Sequence, residues 1–292
     1  MQESLSLWIK GARPRTLPAA IAPVAVGTAC VSVEANATAN WSNAILALIV
    51  SLALQVAVNY ANDYSDGVRG TDDKRVGPLR LVGSGAKTAS AVKRAAFLSF
   101  GVAAIFGLIL ALLTSLWLLV VGVLCILAGW FYTGGKKPYG YFGLGEVFVF
   151  VFFGVVATTG TTFVIVEKLT ATSFTASLVV GALACALLAV NNLRDIDGDT
   201  LARKRTLAVR LGDKNARSFF VSLFVLALLA IFMLALSYPL ALLGLIGLSS
   251  AFASIKRVRS GAVGSELISV LSMTGRTQIL TAITLSIGLI LS

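Results

Sequence analysis

Residues 42–66 read SNAILALIVSLALQVAVNYANDYSD, and residues 174–199 read FTASLVVGALACALLAVNNLRDIDGD. Each stretch begins as an apolar run long enough to cross a bilayer core as a helix, for which about 20 residues suffice. Each then ends in a knot of Asn and Asp. The apolar part demands lipid, whereas polar clusters at membrane depth are costly and usually functional. These two stretches therefore set both the fold class and the place to look for chemistry.

Further apolar runs lie at 17–33, 95–113, 116–133, 145–166, 218–236, 239–255 and 272–291. Together with 42–62 and 174–194 they predict about nine transmembrane helices and leave no soluble domain over. The composition agrees, with 57% of residues hydrophobic and 13% charged, against about 25% charged in a soluble domain. The reading is an all-α polytopic membrane protein, a single transmembrane domain over residues 1–292.

Lys and Arg number 24 against 13 Asp and Glu, a net charge of +11. Every basic residue except Lys168 falls in the N-terminal segment, in the alternate connections 63–94, 134–144, 195–217 and 256–271, or at the adjoining span ends (Arg194 and Arg276). The positive-inside rule then predicts a cell-membrane protein with its N-terminus and these loops in the cytoplasm. That distribution excludes a nucleic-acid partner, since the charge marks a membrane face. The first apolar run follows Arg13 and Arg15 as a signal peptide would, but the spans after it favour a retained anchor. There is no histidine, which rules out His-ligated zinc and Ser-His or Cys-His catalysis. Cys30, Cys125 and Cys185 are scattered in apolar runs without ligand spacing and read as packing residues.

Seven acids crowd the ends of the two quoted stretches: Asp63, Asp66, Asp72, Asp73, Asp195, Asp197 and Asp199. Asn62 and Asp66 are spaced i, i+4, and Asn191, Asp195 and Asp199 continue that step, so helical continuation puts each set on one face. Carboxylates at a helix C-terminus face the negative end of its dipole, and packed together they need a cation. With oxygen ligands only, Mg²⁺ is the natural one; it uses one or two carboxylates and completes its shell with water and phosphate oxygens. The following loops supply Lys74, Arg75, Arg80, Arg203, Lys204 and Arg205, which suit a diphosphate. Adding 129 to Asn62 and Asp66 gives Asn191 and Asp195, a hint of duplicated halves.

Asn62-Asp63-x-x-Asp66 and Asp195-x-x-x-Asp199 resemble the aspartate motifs of the UbiA superfamily of intramembrane prenyltransferases. Arg13-Pro-Arg-Thr-Leu-Pro18, Gly77-Pro-Leu-Arg80, Pro138-Tyr-Gly-Tyr141, Gly143-Leu-Gly-Glu146, Asn191-Asn-Leu-Arg-Asp195 and Arg210-Leu-Gly212 are similar to its menaquinone branch, which prenylates 1,4-dihydroxy-2-naphthoate. The chain departs at Gly70, where the superfamily often has a third acid; Asp72 stands nearby.

The resemblance implies nine helices ringing a central cavity open to cytoplasm and lipid bilayer. It implies transfer of a prenyl group from a polyprenyl diphosphate to the aromatic acceptor, with loss of diphosphate and CO2, giving demethylmenaquinone. Asn62, Asp66, Asn191, Asp195 and Asp199 are then expected to hold Mg²⁺, with Asp63 and Asp72 assisting. Asp66, Asp195, Asp199 and Lys204 are the expected catalytic residues, with Lys204 and Arg80 on the diphosphate. Lys136, Lys137 and Tyr139 are candidates for the acceptor carboxylate. Phe148, Phe150, Phe152 and Phe153 could shield a carbocation, although packing is their simpler role. The alternatives are another acceptor, such as 4-hydroxybenzoate, or a cation-coupled transporter whose buried acids bind the coupling ion.

Overall fold

The structure is a computed structural model that describes residues 2–34, 38–71 and 79–292. Among the described residues it is helical throughout, with no strand. In chain order the helices are α1 (Gln2–Ala12), α2 (Pro18–Ala29), α3 (Ser42–Val68), α4 (Ala89–Leu113), α5 (Leu118–Phe131) and α6 (Gly145–Val149). A π-helical segment (Phe150–Val156) joins α6 to α7 (Ala157–Val166); α8 (Ala171–Arg194), α9 (Ile196–Leu201), α10 (Leu207–Ala235), α11 (Gly244–Ser249), α12 (Ala251–Arg259) and α13 (Glu266–Ile290) follow.

Each predicted apolar run coincides with a helix or a string of helices. Among the described residues five helices qualify as spans by length and apolarity, rising to seven when two bent pairs are counted as one span each. The first bend has a local cause. Leu5–Thr16 meets Pro18–Val33 at 53°, where Pro14 and Pro18 flank a turn entered by Arg13 at a φ of 54°. Pro239–Ser249 meets Ala251–Arg259 at 48°. The count of nine therefore stands as an expectation, while the polytopic, all-α membrane fold is what the structure has. Large apolar side chains such as Leu98, Leu112, Leu236 and Phe252 face outward, as lipid requires.

The core forms around α8, the most buried of the spans. Its sequence explains that: Ser173, Ala176, Ser177, Gly181, Ala182, Ala184, Ala186 and Ala189 are small and buried, and small residues let helices approach closely in a membrane. Gly181 meets Gly154 of the π-helical segment so tightly that a Cβ on Gly154 would lie 2.5 Å from the Gly181 Cα. On its other flanks α8 packs against α10 and α13. α3 pairs chiefly with α4, so α3 and α8 carry their Asn/Asp ends on opposite sides of the interior.

Candidate active site

Between these helices lies a cavity of about 1290 Å³. The Asn/Asp ends of α3 and α8 face it from two sides, and Asn62, Asp66, Asn191, Asp195, Asp197 and Asp199 all line it. The structure thus brings together two clusters that are far apart in sequence. Away from that polar end the wall is apolar, built from residues such as Val50, Leu54, Leu118, Val121 and Val164. Its volume exceeds the usual small-molecule pocket of about 300–1,000 Å³ and suits a long apolar chain.

α3 continues past the predicted end of its apolar run to Val68, so Asn62 and Asp66 sit on one helical face as expected. The second set is different. α8 stops at Arg194, Asp195 takes the non-helical cap position, and Asp197 and Asp199 begin α9. The continuous helical step from Asn191 to Asp199 is therefore corrected to a break at Asp195. The break moves the last two acids from the unfavourable C-terminal end of one helix to the favourable N-terminal turn of the next. Asp199 is held there by the Thr206 hydroxyl at 3.4 Å and by the Lys204 amide donating to its carbonyl at 2.8 Å.

Asp66 is the hub of the first cluster and is 5% exposed. Its Oδ1 accepts from Lys204 Nζ at 3.0 Å and from the Tyr141 hydroxyl at 2.7 Å. Arg80 approaches Oδ2 at 3.9 Å. Lys204 also lies over the Tyr141 ring, 4.8 Å from its centroid. Burial, then the negative charge of Asp66 and its hydrogen bond, push the Tyr141 hydroxyl well above the ordinary phenol range, so it remains a donor. Asn62 accepts from the Thr133 hydroxyl at 2.7 Å. In the second cluster Arg194 spans two neighbours, donating to Asn191 Oδ1 at 2.7 Å and to both oxygens of Asp195 at 2.7 and 2.8 Å.

Other expected site residues take different places. Asp63 is fully buried, and its two oxygens accept from the backbone amides of Leu81 and Val82 at 2.8 and 2.9 Å. Its expected place among the metal ligands is corrected to a structural one: it fixes the loop that presents Arg80. Lys136 and Lys137 are exposed and do not line the cavity; they flank the helix end as cationic anchors do. Tyr139 does line it, but its hydroxyl donates to the Ala128 carbonyl at 2.8 Å, leaving the ring to face the cavity. Asp72 lies outside the described residues. Of the four phenylalanines, Phe148, Phe152 and Phe153 line the cavity, whereas Phe150 packs against Gly181. Tyr139 stacks on Phe148 with centroids 3.9 Å apart, and Phe148 on Phe152 at 5.9 Å.

Four contributors had no assigned role in the sequence: Tyr141, Arg194, Thr133 and Glu146. Three of them sit inside the quoted motifs, which was the available signal. Glu146 is 4% exposed and accepts from Asn192 at 2.9 Å, steadying the residue beside Asn191.

Among the described residues no three acid or thiol side chains converge into a protein-only metal cage. The donor set nevertheless fits a hard cation. It consists of oxygens on both flanks of one cavity, the arrangement magnesium uses when substrate phosphate oxygens complete its shell.

Comparison with known proteins agrees with this geometry. The sequence model of the UbiA prenyltransferase family matches residues 20–266. A protein of Mycobacterium tuberculosis named 1,4-dihydroxy-2-naphthoate octaprenyltransferase is 49% identical over 280 residues, covering 96% of this chain and 95% of that protein. A protein of the same name from Escherichia coli is 35% identical over 98% of this chain and 95% of its own length. Among solved structures, a UbiA homolog from Archaeoglobus fulgidus bound to GPP and Mg²⁺ superposes with a TM-score of 0.71 at 13% identity, over 98% of this chain and 99% of that one. The chain belongs to the UbiA prenyltransferase family.

Proposed function

We propose that the protein transfers a polyprenyl group from an allylic polyprenyl diphosphate to 1,4-dihydroxy-2-naphthoate. The bond between the allylic carbon and the diphosphate oxygen breaks, and diphosphate leaves with the electron pair. A carbon–carbon bond forms to the naphthoate ring, and the ring carboxylate departs as CO2, its electrons restoring aromaticity. The product is demethylmenaquinol, the reduced form of demethylmenaquinone. The observation that carries this reading is a single cavity with acids and cations at one end and an apolar, aromatic wall over the rest.

Asn62, Asp66, Asn191, Asp195 and Asp199 would hold magnesium, which when bound supplies Lewis-acid neutralisation of the departing diphosphate. Lys204 and Arg80, already placed against Asp66, put positive charge where the phosphate oxygens arrive. Preorganised charge of this kind is usually the largest catalytic contribution. Tyr141 donates to Asp66 and holds it in register with Lys204. Tyr139, Phe148 and Phe152 form a stacked aromatic section of the cavity wall that keeps water from the electron-poor allylic carbon. On this reading the N-terminus and polar end face the cytoplasm of a cell membrane.

The relatives' names favour the naphthoate acceptor over 4-hydroxybenzoate and over transport. The test gives the purified, lipid-reconstituted protein a labelled prenyl diphosphate, Mg²⁺ and each acceptor separately. A prenylated product from dihydroxynaphthoate is expected; product from 4-hydroxybenzoate alone overturns the acceptor assignment.

A further inference from the structure

Five glycines inside α-helices line the cavity. Gly129 on α5 is packed against Val58 and Phe100, and Gly198 on α9 lies between Asp197 and Asp199 at the polar end; the other three are Gly107 on α4, Gly122 on α5 and Gly160 on α7. None has the positive φ that reserves a position for glycine. Nor does packing demand them, because a Cβ built on any of the three meets no atom within 4 Å. Helical glycines such as Gly27, Gly154 and Gly247 are explained by close approach, since a Cβ there would fall 2.4, 2.5 or 2.3 Å from neighbouring backbone. A glycine in a helix interior costs about 0.5–1 kcal/mol relative to alanine. The protein accepts that cost three times, on three helices, around one cavity.

Their position along the helices is informative. α4 begins just after the Arg80 loop at the polar end, and Gly107 lies near its opposite terminus. Gly122 lies in the early turns of α5, across the short connection from α4, and Val164, one turn beyond Gly160, also lines the cavity. On α3 the cavity wall extends from Asp66 to Ala47, which at 1.5 Å per residue is about 28 Å. The three glycines thus belong to the half far from the aspartates, which only a long substrate tail reaches.

Resting on the prenyl-transfer reading, we propose that Gly107, Gly122 and Gly160 hold open the far half of the cavity for the distal isoprene units and so determine how long a prenyl chain is accepted. A side chain at any of them would occupy volume that no protein atom fills. Short donors would still place their diphosphate and allylic carbon at the polar end.

The experiment compares turnover of octaprenyl diphosphate and geranyl diphosphate by the reconstituted protein with dihydroxynaphthoate and Mg²⁺. The variants are Gly107→Leu, Gly122→Leu and Gly160→Leu. Gly101→Leu serves as control, because Gly101 is equally open but does not line the cavity. The expected result is at least a tenfold fall in the octaprenyl-to-geranyl ratio for the three cavity variants and no change in that ratio for the control. A graded series, Gly160→Ala then Gly160→Val, is read the same way with folding checked by thermal melting, so that a leucine variant lost to misfolding does not stand alone. An unchanged ratio in folded variants, or an equal fall with both donors, overturns the proposal. Failure of the wild-type protein to use either donor overturns the prenyl-transfer reading itself.

Discussion

Lys204 Nζ lies 3.0 Å from Asp66 Oδ1 and joins residues 138 positions apart in the chain. Both are nearly buried, with side-chain exposures of 10% and 7%. Breaking a buried ion pair by removing one partner typically costs 3–5 kcal/mol, here tempered by Arg80 on the other carboxylate oxygen. Lys204→Ala is therefore expected to lower kcat/KM for the prenyl diphosphate by about a hundredfold or more and to lower the melting temperature. Steady-state kinetics beside a thermal melt check both effects.

Asp63 provides the contrast. Its neighbour in sequence, Asn62, faces the cavity, while Asp63 turns away and binds two backbone amides. In Asp63→Asn the amide group presents one oxygen and one NH2, so one of the two backbone donors loses its acceptor. A buried unsatisfied donor costs about 1–3 kcal/mol. The expected result is a lower melting temperature and a raised KM for the diphosphate, because the Arg80 loop loosens, with the Mg²⁺ concentration for half-maximal rate unchanged. A shift in that Mg²⁺ requirement without loss of stability would restore Asp63 to the ligand set.

Tyr141 predicts a pH behaviour. Its folded-state pKa lies above the unfolded phenol value, which is about 10. The neutral form is the one the fold favours, so the contribution is fully present below the unfolded value and is lost as pH rises through the higher folded one. From pH 6 to about 9 the phenol should hold its proton and the activity should show no limb from it. Tyr141→Phe is expected to lower the rate about three- to tenfold, in line with the loss of one charge-assisted hydrogen bond, across that whole range. A pH-rate profile of both proteins reads this directly.

Chelation gives a further expectation. With a divalent cation supplied to the oxygens of Asn62, Asp66, Asn191, Asp195 and Asp199, turnover should disappear on adding excess chelator and return on adding Mg²⁺. Residual turnover in chelator, measured by release of diphosphate, would separate the two clusters from metal binding.

Much of this was legible in the sequence because lipid leaves few options. Apolar length marked the helices, and the placement of Asn62, Asp66, Asn191, Asp195 and Asp199 against that background marked the polar end of the cavity. What the sequence hid were facts set by three-dimensional contact. Asp63 and Asp66 are the same residue type one turn apart, and only the fold of the Arg80 loop separates a structural role from a site role. The break at Asp195, where α8 gives way to α9, is announced by no periodicity. Lys136 and Lys137 looked like acceptor contacts because a loop carries no record of which way it faces. Tyr141 and Glu146 stood in recognisable motifs, but their partners, Asp66 and Asn192, come from other helices.

On the prenyl-transfer reading the α3 and α8 clusters act as one unit on a single diphosphate. The direct measurement is kcat/KM for Asp66→Asn, Asp195→Asn and the double variant, each with folding verified by thermal melting. Residues that act as a unit are strongly non-additive. A loss of about a thousandfold or more is expected in each single variant, with the double variant scarcely lower. Either single variant retaining more than about a tenth of wild-type turnover, or losses that simply multiply in the double variant, would contradict it.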